Sequence, residues 1–404
     1  MGKKVRYIFM RFPAPSEAFA SAEVRAIRRD GWNVSVACMR ARSEDSRRLL
    51  TERGLSDLPV SYAGAAEIAR GFGVMLASPG AALRVFGKVV ANTWRAPKQF
   101  IVSVLLLPRA FGIAQQARLD EIDVVHLFWG HFPSLVGVAL REMGRSLGLS
   151  MSLGAYDLIK KYPLSRVAAQ SAAIVTHAEA NRPDVARLCA VNPRRINVVY
   201  RGIEIPEDTS PVQHPIRMLV VERFVKPKRT IDSLKVFANV AREYPEVVLE
   251  VLGDGPERDA LEQWVAAARL TDRVCFRGHL PHDEALERME GSALLLSMSQ
   301  SPGERLPNVV KEAMARRNAV VVTRTPGIEE LVSHGNAGFV VSPGAVDEAT
   351  GRVGELLADP DKLARFGEVA RAHVGREFDI EKTTRARIGI WQKLIADSGR
   401  GAGV

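Results

Sequence analysis

Short apolar runs alternate with amphipathic stretches along nearly the whole chain, and this alternation restricts the fold more than any other feature. Apolar runs buried on both faces, with helices between them, specify parallel strands joined by helical crossovers. Residues 5–10 read as a first strand, 19–29 as a helix and 34–38 as a second strand. Further strands are expected at 122–127, 150–153, 173–177 and 196–200, with a helix across 135–143. The rhythm then breaks over 201–216, where Gly202, Pro206, Pro211 and Pro215 give the composition of a linker. It restarts at 218–221 and continues through strands at 247–252, 274–277, 293–297 and 319–323, with a last helix over 380–395 carrying Trp391. At 404 residues the chain is long enough for two cores. The expected fold class is therefore α/β with two domains. No internal repeat interrupts this reading.

Charge narrows the partners. A formal net charge of +10 and a pI near 9.7 favour anionic ligands: nucleotide diphosphates, anionic lipid or nucleic acid. No nucleic-acid module or aromatic-basic repeat is present, so nucleic acid is not expected as a partner. The three cysteines, Cys38, Cys189 and Cys275, are widely spaced and odd in number. They fit reduced thiols in a cytoplasm, not a disulfide frame or a zinc site. The first residues run straight into a strand without a secretory apolar core. The longest aliphatic stretch, 101–107, is broken by Ser103, ended by Pro108 and too short to span a bilayer.

The chemistry concentrates near residue 304. Glu304 and Glu312 flank Pro307, which suits a first helical turn because its missing N–H costs nothing there. Glu304 is expected in the loop before that helix and Glu312 about a turn and a half inside it. The unpaired N–H groups of the first turn, with the positive end of the helix dipole, form a socket for an anion. Carboxylates on either side accept hydrogen bonds from hydroxyls flanking the anion, and a nucleotide sugar has that layout.

Residues 304–341 resemble the donor-binding region of the retaining GT-B glycosyltransferases, family four. The resemblance rests on Glu304, Glu312-Ala-Met-Ala, the strand 319–323, Pro326-Gly-Ile-Glu-Glu-Leu331 and Gly338-Phe-Val-Val. The likeness is to the branch that builds exopolysaccharide repeats, of the colanic-acid type. It implies two Rossmann-like domains facing across a cleft. An N-terminal acceptor-binding domain would span 1–205 and a donor-binding domain 206–376. The end of the chain, 377–404, would be a helix returning to the first domain plus a tail. It further implies retention of the anomeric configuration, with the departing phosphate oxygen as base, and no metal or other cofactor.

Carried onto this sequence, the resemblance makes Arg223 and Lys228 the cations for the leaving diphosphate. Glu304 would hold a donor-sugar hydroxyl and Glu312 the ribose hydroxyls. Backbone N–H groups at Leu306, Pro307, Asn308 and Val309 would line the phosphate or sugar oxygens, except that Pro307 has no N–H to give. Gly253 and Gly255 in Leu-Gly-Asp-Gly-Pro would let backbone approach the base, with His279 beside it. Arg229 stands where the family often has glycine. In the first domain, Ser16 and Glu17 belong to a cleft-facing loop, and Tyr156 and Asp157 to a second acceptor segment. Ser16 also reads as an ordinary helix cap.

Two departures stand out. The branch usually carries His-x-His after the 122–127 strand, whereas here His126 is followed by Phe128 at the second site. The branch's usual His before Ala-Tyr-Asp is Gly154 here. His131 is a possible partial substitute. A phosphate base would make the lost imidazole dispensable.

The expected function is transfer of a sugar from a nucleoside-diphosphate donor to a saccharide or polyprenyl-linked acceptor in cell-surface polysaccharide synthesis. Rival readings are a non-catalytic scaffold subunit, a sugar-nucleotide epimerase and a lipid-surface protein. The lipid surface enters independently. No acidic residue falls between Glu67 and Asp120, while Arg70, Arg84, Lys88, Arg95, Lys98, Arg109 and Arg118 do. Phe72, Met75, Leu76, Leu83, Phe86, Val90, Trp94, Phe100 and Phe111 supply an apolar face. This composition predicts helix lying in a lipid interface, and peripheral attachment to an anionic membrane at the cytoplasmic face.

Overall fold

The computed structural model describes residues 2–144 and 147–400. The chain forms two compact units, one of Met1–Gly202 with Ile380–Val404 and one of Ile203–Asp379.

The first unit is a seven-stranded parallel sheet in the order β3-β2-β1-β4-β5-β6-β7. Its strands are β1 (Lys4–Phe9), β2 (Asn33–Cys38), β3 (Val60–Ser61), β4 (Val124–Leu127), β5 (Gly148–Leu153), β6 (Ala173–Thr176) and β7 (Ile196–Val198). The Val-, Ile- and Leu-rich strands are buried on both faces, as crossover helices require. On one face Ile8, Val125, Leu127 and Met151 pack with the helices between β3 and β6. On the other, Tyr7, Phe9 and Val36 pack with the Ala18–Arg29 helix and the final helix, Ile380–Arg400. Trp391 of that helix is fully buried, its ring 6.0 Å from Tyr7 and 5.3 Å from Trp32. Beneath it Glu23 accepts from Tyr7 Oη at 2.8 Å and pairs with Arg387 at 3.1 Å.

The second unit is a six-stranded parallel sheet in the order β10-β9-β8-β11-β12-β13. The strands are β8 (Arg217–Val221), β9 (Val248–Leu252), β10 (Val274–Gly278), β11 (Leu294–Ser297), β12 (Ala319–Thr323) and β13 (Phe339–Val341). The linker-like segment 201–216 forms no helix and no strand beyond the isolated bridge of Ile203 to Asp379, and its part beyond Gly202 belongs to this unit.

Most expected strands form within one or two residues of their predicted limits. Two were not expected. β3 is only two residues long, and β13 sits in a segment read for its family likeness instead of its apolar pattern. A larger correction concerns 65–119, which folds into three helices: Ala65–Ala77, Pro79–Thr93 and Pro97–Leu119. Pro108 ends the aliphatic run but not the helix, which runs through it and, against expectation, is long and apolar enough to span a bilayer. The crossing is close because residue 71 is glycine. A Cβ there would lie 1.8 Å from the Pro108 carbonyl oxygen. Arg109, counted among the surface bases, is buried and donates to the backbone carbonyls of Cys38 and Ser61 at 3.0 and 2.9 Å.

Candidate active site

In the second sheet the chain winds outward in one direction from β8 to β10. It then returns to place β11 on the other side of β8. Ligands of open parallel sheets bind at such a switch point, beyond the carboxyl ends of the strands. The loops that meet there follow β8 and β11, and they carry the predicted cations and the first carboxylate.

The two loops are tied together. Gln300 N–H donates to the Pro227 carbonyl at 2.8 Å. Lys228 Nζ donates to Glu304 Oε1 at 2.6 Å, and Ser299 Oγ donates to Glu304 Oε2. The Lys228 and Glu304 side chains are only 17% and 13% exposed, so the pair is weakly screened by water. One of the three ammonium protons is spent on Glu304, which leaves two donors for an anion. Arg223 is on the same loop and points into solvent, with no ion pair among the described residues. Arg229 adopts φ 58°, the left-handed conformation that glycine takes most easily, and is held by Asp232 at 2.7 Å.

Glu222, which the sequence reading passed over, lies under this loop. It is buried, and burial pushes its carboxyl up to about 8; the Lys228 ammonium and the Thr230 hydroxyl oppose that shift, and Glu304 adds to it. At neutral pH Glu222 is thus largely protonated, and the site carries one carboxylate fewer than the formula suggests.

The helix after Glu304 is Asn308–Ala315. Pro307 is its cap, at φ −60° and ψ 131°, one residue outside the turn in which it was expected. The backbone N–H groups of the first turn are the candidates for the anion socket, and the side chains beside them face the protein. Leu306 is buried, and Asn308 Oδ1 accepts from the buried Lys311 at 3.1 Å. Val309 is half-buried. Glu312 Oε1 accepts from His282 Nε2 at 3.0 Å, and this contact raises the imidazole's pKa. The histidine beside Glu312 is His282, itself exposed, and His279, expected at the base pocket, is also exposed.

Gly253 and Gly255 serve a contact within the protein. A Cβ on residue 253 would lie 1.8 Å from the Glu222 carbonyl oxygen, and one on 255 would lie 2.5 Å from that of Phe224. Phe224 N–H donates to the Asp254 carbonyl at 3.0 Å, so the glycines seat the loop after β9 against the loop after β8. Among the described residues no group of three or more His, Cys, Asp or Glu is placed to hold a metal ion.

The first unit has its own switch point, between β1 and β4. Glu17 occupies the N-cap position of the Ala18–Arg29 helix without a side-chain capping hydrogen bond, and it accepts from Trp129 Nε1 at 3.1 Å, which joins the loops after the two strands. Burial raises the Glu17 pKa, and the Trp129 hydrogen bond, Arg201 and Arg53 oppose that. Ser16 is exposed and is not the cap. The Arg201 guanidinium lies 4.2 Å from the Phe19 ring and 4.9 Å from that of Trp129. Tyr156 is exposed, but Asp157 is buried, and its Oδ2 accepts from Gly154 N–H at 2.9 Å. Asp157 thus fastens the start of its own helix; burial pushes its carboxyl up to about 7.

The structure also explains the missing histidines. His126 is fully buried between Ser150 and Ser152, and Phe128 is core. At Gly154 a Cβ would lie 2.8 Å from both His177 Cε1 and Trp129 Cζ3, and 3.3 Å from an Arg201 nitrogen. The room for a side chain on residue 154 is taken by His177 and Trp129. Burial, helped by Lys160, pushes the His131 pKa down to about 4, so its imidazole is neutral near pH 7. Trp129, His177, Arg201, Glu222 and His282 all escaped the sequence reading. A rule that every polar or aromatic residue just past a strand end is a candidate would have found all but His282.

Residues 203–373 match the family of glycosyl transferases group 1. Over 184 residues the chain is 31% identical to the N-acetyl-alpha-D-glucosaminyl L-malate synthase of Bacillus anthracis, covering 46% of this chain and 47% of that protein. It is 27% identical over 194 residues to the alpha-D-kanosaminyltransferase of Streptomyces kanamyceticus, covering 48% and 50%. These matches span about half the length of the curated relatives. Among solved structures, HepE of Anabaena, in complex with UDP, superposes with a TM-score of 0.72 at 18% identity, over 96% of this chain and 100% of that one. HepE has also been solved with UDP-glucose. The chain has the GT-B architecture of two Rossmann-like α/β domains, and the match to the glycosyl transferases group 1 model, over residues 203–373, lies in its second unit.

Proposed function

We propose that the chain moves a sugar from a nucleoside-diphosphate donor to a saccharide or polyprenyl-linked saccharide acceptor in cell-surface polysaccharide synthesis. The single observation that carries this is the Lys228–Glu304 pair at the switch point of the second unit, followed directly by the Asn308–Ala315 helix N-terminus. Cation, carboxylate and helix dipole there match a sugar diphosphate in order: ammonium to phosphate, carboxylate to sugar hydroxyl. Glu312, one turn in, takes the ribose hydroxyls. Arg223 and Lys228 carry the charge that grows on the diphosphate as its bond to the anomeric carbon breaks. The acceptor oxygen bonds to that carbon on the same face, and its proton passes to the departing phosphate. The configuration is retained, and no protein base or metal ion is required. The first unit supplies the acceptor site around Glu17 and Trp129. The protein works on the cytoplasmic side.

A thermal-shift panel of nucleoside diphosphates and their sugars tests the donor site. A ligand at ~100 times its dissociation constant stabilises by ~2.7 kcal/mol. Uridine nucleotides are the first arm, because HepE holds UDP. If no nucleotide moves the melting temperature, the reading fails. Slow hydrolysis of the stabilising donor, measured without acceptor, separates an enzyme from a scaffold that only binds it.

A further inference from the structure

Large apolar side chains are exposed chiefly in one region of this chain. Among the described residues, ten of the thirteen run from Ile68 to Leu119, nine on the three helices between β3 and β4 and Trp94 in the turn between the second and third. They fall on helical stripes: Phe72 and Leu76 on the first helix, Leu83, Phe86 and Val90 on the second, Ile101 and Leu105 on the third. The opposite stripe of the second helix, Ala81, Val85, Val89 and Thr93, is buried in the core. Leu76 is 81% exposed, and Leu83 and Leu105 are each 71% exposed, values no folded chain gains from by leaving them in water.

Basic residues accompany this surface. Arg95 lies over the ring of exposed Trp94 at 4.8 Å, and Lys98 begins the next helix. Gln99 donates to the Lys160 carbonyl at 3.4 Å, which brings in the end of the Ala155–Lys160 helix. That helix adds exposed Tyr156 and Ile159, with Lys160 over the Tyr156 ring at 5.3 Å and Lys161 next in the chain. No acidic residue occurs between Glu67 and Asp120. Arg84 and Lys88 do not share this role, since both pair with Glu142.

We propose that this surface docks on an anionic lipid bilayer, with Phe72, Leu76, Leu83 and Leu105 in the acyl boundary and Arg95, Lys98, Lys160 and Lys161 on the head groups. Trp94 and Tyr156 have the amphipathic rings that settle at that depth. The helices lie on the bilayer and do not cross it. Pro97–Leu119 is long and apolar enough to span, but its second half is buried, with Arg109 anchored to Cys38 and Ser61. The first two helices meet at a 107° bend. A second copy of the chain is a poorer occupant, because a two-fold contact would set like bases against like bases.

The test is co-sedimentation of the full chain with phosphatidylcholine vesicles, with and without about one part in three phosphatidylglycerol. Binding is expected only with the anionic lipid and is expected to fall as salt rises. Replacing Arg95, Lys98, Lys160 and Lys161 by Gln together lowers the partition coefficient by roughly 600-fold, since each base contributes roughly a factor of five. Leu76→Gln with Leu83→Gln and Leu105→Gln abolishes binding at low salt too. Both variants must keep the parent's melting temperature and its nucleotide affinity, which the second unit sets. If a variant fails that check, single substitutions at Leu76 and Lys98 replace it. Equal binding to neutral vesicles, or binding unchanged in both variants, overturns the proposal. So does a dimer in solution that the leucine variant splits, with no vesicle binding by the parent.

Discussion

Glu222 shows how one buried side chain ties pH to stability. The carboxyl titrates near 4.5 when exposed and near 8 in the fold. Below the lower value both states hold the proton, and the folded state keeps its full advantage. As pH rises toward the upper value, the unfolded chain releases a proton that the folded chain retains, so stability falls. Glu222→Gln is expected to flatten the decline in melting temperature from about pH 5 to 8, and to be more stable than the parent at the upper end. A decline of unchanged slope sinks the assignment. Glu312 makes a different prediction. Glu312→Ala is expected to weaken the free nucleoside diphosphate and the full donor alike, by roughly 1.5–3 kcal/mol in a calorimetric titration. Glu304→Ala is expected to spare nucleotide binding and lower turnover; equal nucleotide affinity in Glu312→Ala and the parent removes the ribose role. Gly154→His, which the family pattern suggests as a restoration, instead forces a side chain into His177 and Trp129. Its cost is about 1–3 kcal/mol of overpacking, read as a lower melting temperature.

Elements act through their contacts. The loop after β8 holds Lys228 in place because the loop after β9 supports it, and that support needs glycine at 253, where φ is 139° and the Glu222 carbonyl is close. Gly253→Ala is therefore expected to loosen the donor loop. Donor affinity and turnover should both fall although no ligand contact is lost, and amide exchange in 222–229 should speed up. Unchanged exchange with unchanged affinity would show that the loop stands by itself. In the first unit, Gly71 lets the Ala65–Ala77 helix cross Pro97–Leu119 at Pro108. Gly71→Val is expected to drive those helices apart and lower the melting temperature by several degrees, as overpacking of 1–3 kcal/mol does.

On the scale of the whole molecule, the last helix completes the first unit although it is last in the chain. Trp391 fills the space between Tyr7, Trp32 and His126 and is wholly buried. Trp391→Ala is expected to cost the first unit about 3–5 kcal/mol. In calorimetry the transition that nucleotide does not stabilise should move down, while the nucleotide-sensitive transition of the second unit stays. A shift of the nucleotide-sensitive transition alone would mean that Trp391 supports the wrong unit.

The alternation of apolar runs and amphipathic helices determined the parallel α/β class, because strand period, helix period and turn chemistry are local properties that need no partner. The break over 201–216 was legible for the same reason: proline and glycine act on their own backbone. Local spacing also placed Glu304 before a helix and Glu312 within it. What spacing could not decide was which side chains meet. Lys228 reaches Glu304 over 76 positions, and His282 reaches Glu312 over 30. Those encounters depend on strand order, which sets β8 beside β11. The same holds for Arg109, a surface base in the sequence and a buried strut in the fold, and for Gly154, whose missing side chain is answered by His177 from the next strand. Burial, and with it the protonation of Glu222, Asp157 and His131, exists only once the sheets have closed over them.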